Sequence, residues 1–187
     1  MRRSGSPHEG QEASGPVAGS NGAGFGSFGH LAARFFGALD PRGPSVTEEA
    51  WALEWLVPGE KDLWRRMSGP DRRHAAGVAR EVAERLGGAS REVMAAALLH
   101  DVGKVESGLG TFARVWVTLA AMSVGRSRVP GRRARLYVEH DRIGASLLGD
   151  AGSHPLTVAW AREHHLPPDR WTLDRRVALA LKESDGD

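Results

Sequence analysis

Leu99-His100-Asp101-Val102-Gly103-Lys104 closes the apolar run Val93-Met94-Ala95-Ala96-Ala97-Leu98, and how this stretch is read decides the fold. The run predicts a buried helix over 91–101, with His100 extending the line of Val93 and Ala96 and Asp101 that of Met94, Ala97 and Leu98. Gly103 is expected to stop it. Adjacent His and Asp can present an imidazole nitrogen and a carboxylate to one metal. The dipeptide is common, however, and by itself reads equally as a helix end or a surface pair. A carboxylate on the buried face would require a cation or strong donors nearby.

On either side of this helix the pattern is helical throughout. Helices are predicted at about 59–67, 71–87, 111–124, 132–149, 155–165 and 174–184, with Gly or Pro at most of the breaks. Upstream, Leu31, Phe35, Phe36 and Leu39 share a face of a run stopped by Asp40-Pro41. A short helix follows Thr47, where Glu48 and Glu49 suit a first turn although Thr47-x-x-Ala50 lacks a full capping box. No segment alternates as a strand does, and neither a repeat nor a heptad pattern is present. The expectation is an all-α bundle of unequal helices.

Residues 1–27 are rich in Gly, Ser, Ala and Pro with almost no large apolar side chains, so they cannot bury enough surface to offset chain entropy. They are read as a disordered tail, leaving 28–187 as a single helical domain. The formal charge is only +2. The pI of about 9.5 overstates basicity, since a small surplus moves it far, and specific nucleic-acid binding is not expected. With no Cys, disulfides and thiolate sites are excluded, and any metal must be held by His and carboxylate. Arg2-Arg3 is followed by a Gly/Ser-rich stretch rather than an apolar one, so a cytoplasmic protein is expected. The longest apolar run, Val115 to Val124, is well short of the roughly 20 residues a membrane span needs.

Ligands to one buried site must all point inward, and helical spacing tests this. His74 continues the line Val78, Val82, Leu86. His140 sits with Leu136, Ile143 and Leu147, His164 or His165 follows Val158 and Ala161, and Asp185 follows Val177 and Leu181. A lone inward His is usually a satisfied core residue. Several such groups from separate helices are harder to satisfy singly, because an unpaired buried polar group costs about 1–3 kcal/mol, and a shared metal would supply the partners. His8 and His30 lie in or beside the tail and His154 precedes Pro155, so none of the three is assigned a role.

The order His74, His100-Asp101, His140, His164-His165, Asp185 resembles the HD superfamily of metal-dependent phosphohydrolases over Asp71 to Asp187. The resemblance implies one metal on His74, His100, Asp101 and Asp185. It implies a second on His140, His164 and His165, with Asp101 bridging, as in the HD-GYP phosphodiesterases. Two divalent ions follow, Mn or Fe first and Mg, Co or Zn as alternatives. The substrate would be a phosphorylated small molecule or nucleotide, a monoester or a diester. Lys104 matches the lysine after the HD-GYP motif "HDIG" and is assigned with Asp101 to catalysis, as a phosphate contact. The string His164-His165-Leu166-Pro167-Pro168-Asp169-Arg170-Trp171 lacks the Glu and Gly-Tyr-Pro of HD-GYP, and Pro70 stands where some trinuclear members carry an acid. Both departures imply a dinuclear site and an altered pocket. Arg126, Arg128, Arg132, Arg133 and Arg135 form a basic stretch without an acid, suited to a solvated face or to an anion. Di-iron oxygenases resembling myo-inositol oxygenase share the ligand order, and a non-catalytic HD module is the third alternative.

Overall fold

Short-range capping chemistry starts most of the helices. In the computed structural model, which describes residues 42–109, 117, 125 and 130–186, α1 (Val46–Glu54) opens on a full capping box. Glu48 N donates to Ser45 Oγ at 3.2 Å and Ser45 N donates to Glu48 Oε2 at 2.9 Å. The N-cap is therefore Ser45, two residues before the expected Thr47, because Ser45-x-x-Glu48 satisfies two orphan amides that Thr47-x-x-Ala50 cannot. Pro58 begins α2 (Pro58–Arg66), and Ser68 caps α3 (Gly69–Leu86), which Gly87 ends in the left-handed conformation at φ 70°. Then come α4 (Arg91–Leu99), a 3₁₀ segment (Val102–Ser107), α5 (Arg132–Val138), α6 (His140–Asp150), α7 (Pro155–Glu163), a short 3₁₀ turn (Pro168–Arg170) and α8 (Arg175–Asp185). Among the described residues every regular element is helical. The expected tail, the 28–39 helix, the 111–124 helix, His8, His30, Arg126 and Arg128 lie outside the described residues.

The centre of the bundle is α4, whose residues Val93 to Leu99 are all buried. It packs against α3 on one side and α7 on the other, while α8 lies along α3 and α6 along α7. Trp64, Trp160, Met94, Leu98, Leu99, Leu148 and Leu181 fill the space between them. Each large side chain so buried contributes about 1.5–3 kcal/mol.

Two expected helices are shorter than their patterns. The 91–101 helix ends at Leu99 and passes into the 3₁₀ segment. The 132–149 helix is broken at Glu139 (φ −98°, ψ 15°) into α5 and α6. One close approach accounts for the geometry. A Cβ on Gly103 would stand 1.9 Å from the carbonyl oxygen of His140 and 2.6 Å from the amide of Gly144. Gly103 thus does not stop a helix as expected; it lets the 3₁₀ segment lie directly on the backbone of α6. That contact sets Asp101 beside His140.

Candidate metal centre

Three of the histidines owe their aim to helix ends. The last carbonyls of a helix lack some or all of their intrahelical partners, and here imidazole Nδ1–H groups add bonds to them, at Trp160 O beside the backbone bond from His164 N. His100, just past α4, donates from Nδ1 to Ala97 O at 2.9 Å. His140, just past α5, donates to Tyr137 O at 2.7 Å. His164, just past α7, donates to Trp160 O and Ala161 O at 3.2 and 3.1 Å. A carbonyl only accepts, so each Nδ1 carries the hydrogen and each Nε2 is turned inward.

All three Nε2 atoms face Asp101. Its Oδ2 lies 3.4 Å from His100 Nε2, and its Oδ1 lies 3.4 Å from His140 Nε2 and 3.9 Å from His164 Nε2. Around this carboxylate the ligand-type residues fall into two groups, each with its donor atoms within 4.8 Å of one another: His74, His100 and Asp185, and His140, His164 and His165. In the first, Asp185 Oδ1 is 2.9 Å from His74 Nε2 and 3.4 Å from His100 Nε2. In the second, His165 Nε2 is 3.1 Å from His140 Nε2, and the rings of His164 and His165 lie 3.9 Å apart. Every sequence-predicted site residue is therefore at one place. Lys104 is there too, its ammonium donating to Asp101 Oδ2.

The electrostatics are those of a site built around positive charge. Burial opposes ionisation of Asp101, but Lys104 and His100 outweigh it and hold the carboxyl well below its usual range. Asp185 is likewise held down against burial, by His100 and His74. Burial disfavours a charged His100, yet Asp101 and Asp185 raise it well above the usual imidazole value. Lys104 is raised in the same way, Asp101 overcoming its desolvation. On the opposite side, burial and then the charge of His100 push His164 down to about 3, leaving it neutral.

The donor set fits a metal. His100 Nε2 and His164 Nε2 are buried without a hydrogen-bond partner, and a neutral His164 turns a lone pair toward a carboxylate oxygen. Two lone pairs facing each other in a buried space are unfavourable unless a cation stands between them. Imidazole and carboxylate donors without thiolate suit Mn, Fe, Co or Zn.

The residues that sequence reasoning missed are those that shape the site. Gly103 and Gly144 permit the backbone approach, with a Cβ on Gly144 standing 3.1 Å from Gly103 N. Tyr137, the one tyrosine in the chain, stacks on His140 with centroids 5.8 Å apart. Its position three residues before His140 was the available signal. Glu163 is buried, accepting from Thr172 N and Oγ1 at 2.7 and 2.8 Å, and so ties the loop after His165 to α7. His154 is outside the centre and caps α7, accepting from Leu156 N at 3.2 Å. Arg132, Arg133 and Arg135 are exposed on α5. Among the described residues no helix is long and apolar enough to cross a membrane.

The family model of the HD domain matches residues 73–185, from the residue before His74 to Asp185 itself. The chain belongs to the HD-domain family, a superfamily of metal-dependent phosphohydrolase type. No curated protein and no solved structure matches it.

Proposed function

We propose that this HD-domain protein is a metal-dependent phosphoester hydrolase with a dinuclear His/Asp centre. His74, His100 and Asp185 would hold one ion and His140, His164 and His165 the other, with the Asp101 carboxylate lying between the two groups. The observation that carries the reading is the pair of buried, unpartnered Nε2 atoms of His100 and His164, aimed at opposite oxygens of one carboxylate. Mn or Fe is the first choice, with Mg, Co or Zn as alternatives.

Divalent ions held there supply the Lewis acidity that activates water and neutralises charge developing on a phosphate. The chain does the rest. The Nδ1–H bonds to helix-end carbonyls keep His100, His140 and His164 oriented and raise their basicity as ligands. Asp101, ionised well below neutrality, keeps its negative charge on both sides of the centre. Lys104 supplies ammonium donors to the substrate's phosphate. The leucines and alanines of α4 and the indole of Trp160 exclude water from behind the imidazoles, which strengthens each charge interaction in front of them. The substrate is a phosphorylated small molecule or nucleotide.

The test is elemental analysis of protein purified without chelator, followed by a metal-swapped activity screen against nucleotides, cyclic dinucleotides and simple phosphoesters. More than one equivalent of transition metal and metal-dependent phosphate release are expected. No metal bound or taken up would overturn the centre. Oxygen uptake by the iron-loaded protein without phosphate release would replace hydrolysis with oxygenation.

A further inference from the structure

Lys104 stands on the wrong oxygen for a residue whose only task is to meet substrate. Its ammonium donates to Asp101 Oδ2, the same oxygen that faces His100 in the His74, His100 and Asp185 group. Among the described residues Asp101 Oδ1, which faces His140 and His164, accepts no ammonium hydrogen bond, although the Lys104 charge also helps lower His165. The Lys104 side chain is itself only 16% exposed, and it is held near Tyr137 and Asp71 as well as Asp101. The pairing is also local, three residues apart within the 3₁₀ turn where Lys104 N donates to Asp101 O at 3.0 Å, so it forms without any long-range rearrangement.

We infer that Lys104 competes with a metal ion for Asp101 Oδ2, making the two halves of the centre load unequally and in order. This rests on the dinuclear reading above. An ion on His140, His164 and His165 can use Oδ1 with Lys104 in place. An ion on His74, His100 and Asp185 can use Oδ2 only once the ammonium has left it, because a cation and an ammonium repel at a single oxygen. The three-histidine half therefore fills first. Filling of the other half frees Lys104 into the mouth of the site, where a phosphate would meet it. A substrate-facing cation is thus released only when the centre is complete.

The chain has three lysines, Lys61, Lys104 and Lys182, so a lysine-labelling experiment reads each one separately. The full-length protein, stripped of metal, is titrated with Mn²⁺ by calorimetry, and at each stage lysines are pulse-labelled with an amine-reactive anhydride and quantified by mass spectrometry. Two unequal binding steps are expected. Lys104 should stay shielded through the first and become labelled at least severalfold faster at the second, with Lys61 unchanged. In Lys104→Met the weaker step should tighten at least tenfold, and Lys104→Gln should lie between. Mn²⁺ binding with equal affinities in all three proteins, or with Lys104 labelling unmoved by metal, would overturn the competition and leave the dinuclear centre standing. Failure of every protein to bind Mn²⁺ would overturn both. Should Lys104→Met not fold, the labelling of the unmodified protein decides the matter alone.

Discussion

The two sides of Asp101 are built from different materials. On one side His74, a third exposed, and the buried His100 face the carboxylate of Asp185. On the other, His140, His164 and His165 bring imidazole only. The first side gathers charge, raising His100 and lowering Asp185; the second sheds it, holding His164 neutral down to about 3. The two shifts have different causes: Asp101 and then Asp185 raise His100 against its burial, whereas burial and then the charge of His100 lower His164. On the dinuclear reading proposed above, the side with Asp185 would have to release an ammonium to accept an ion, whereas the three-histidine side would not.

The largest effect should come from removing what the sides share. Asp101→Asn keeps the shape and loses the charge that both sides face, and activity should fall on the order of 10³-fold with the helical circular dichroism intact. Near-native rates would dissolve the distinction between two halves of one centre.

Gly103→Ala breaks the contact that places Asp101 against α6, since a Cβ there would lie 1.9 Å from His140 O. Backbone cannot yield as a side chain can. A loss of about 3 kcal/mol is expected, seen as a melting temperature lower by roughly 6–12 °C. Gly149→Ala, where a Cβ meets nothing within 4 Å, should leave the melting temperature unchanged or slightly raised and serves as the control.

Asp185→Asn should act on one side alone. Mn²⁺ affinity of the His74 and His100 half should drop at least about tenfold, with the three-histidine step unmoved in calorimetry. Asp187→Ala, two residues on and outside the described residues, should change neither. Loss of both steps in Asp185→Asn would mean that the sides are not separable.

The smallest effect is the proton count. Asp101 and Asp185 raise His100 above the usual imidazole value while burial lowers His164 to about 3, so the carboxylate side should release more protons on binding metal than His164 does. Calorimetry in buffers of different ionisation enthalpy should show more proton release in the carboxylate-side step than in the three-histidine step. The sign for stability follows from the same shifts. Asp101 and Asp185, held below the carboxyl value of 3.8, stabilise the fold above that pH and cease to do so as pH falls through their folded values. Raised His100 contributes below the usual imidazole value and loses its contribution as pH rises through its own. Urea midpoints of the metal-free protein should therefore decline on both flanks, most steeply on the acid side.

Short-range periodicity along single helices made the helical class legible and put His74, His100, Asp101, His140, Asp185 and one of His164 and His165 on inward lines, whereas the inclusion of both His164 and the exposed His165 came from the family resemblance. Ser45-x-x-Glu48 was equally legible as a capping box and simply lies two residues from where Thr47 drew attention. Tertiary structure alone decided how the set meets. The aim of His100, His140 and His164 comes from carbonyls in the last turns of three helices, and two of those ends are placed by the break at Glu139 and the passage from α4 into a 3₁₀ turn. The division of Asp101 between two groups, and the seat of Lys104 on one of its oxygens, follow from the backbone of Gly103 lying on that of His140 and Gly144. Such a contact joins residues some forty positions apart and leaves no periodic trace, since what it requires of the sequence is the absence of a side chain.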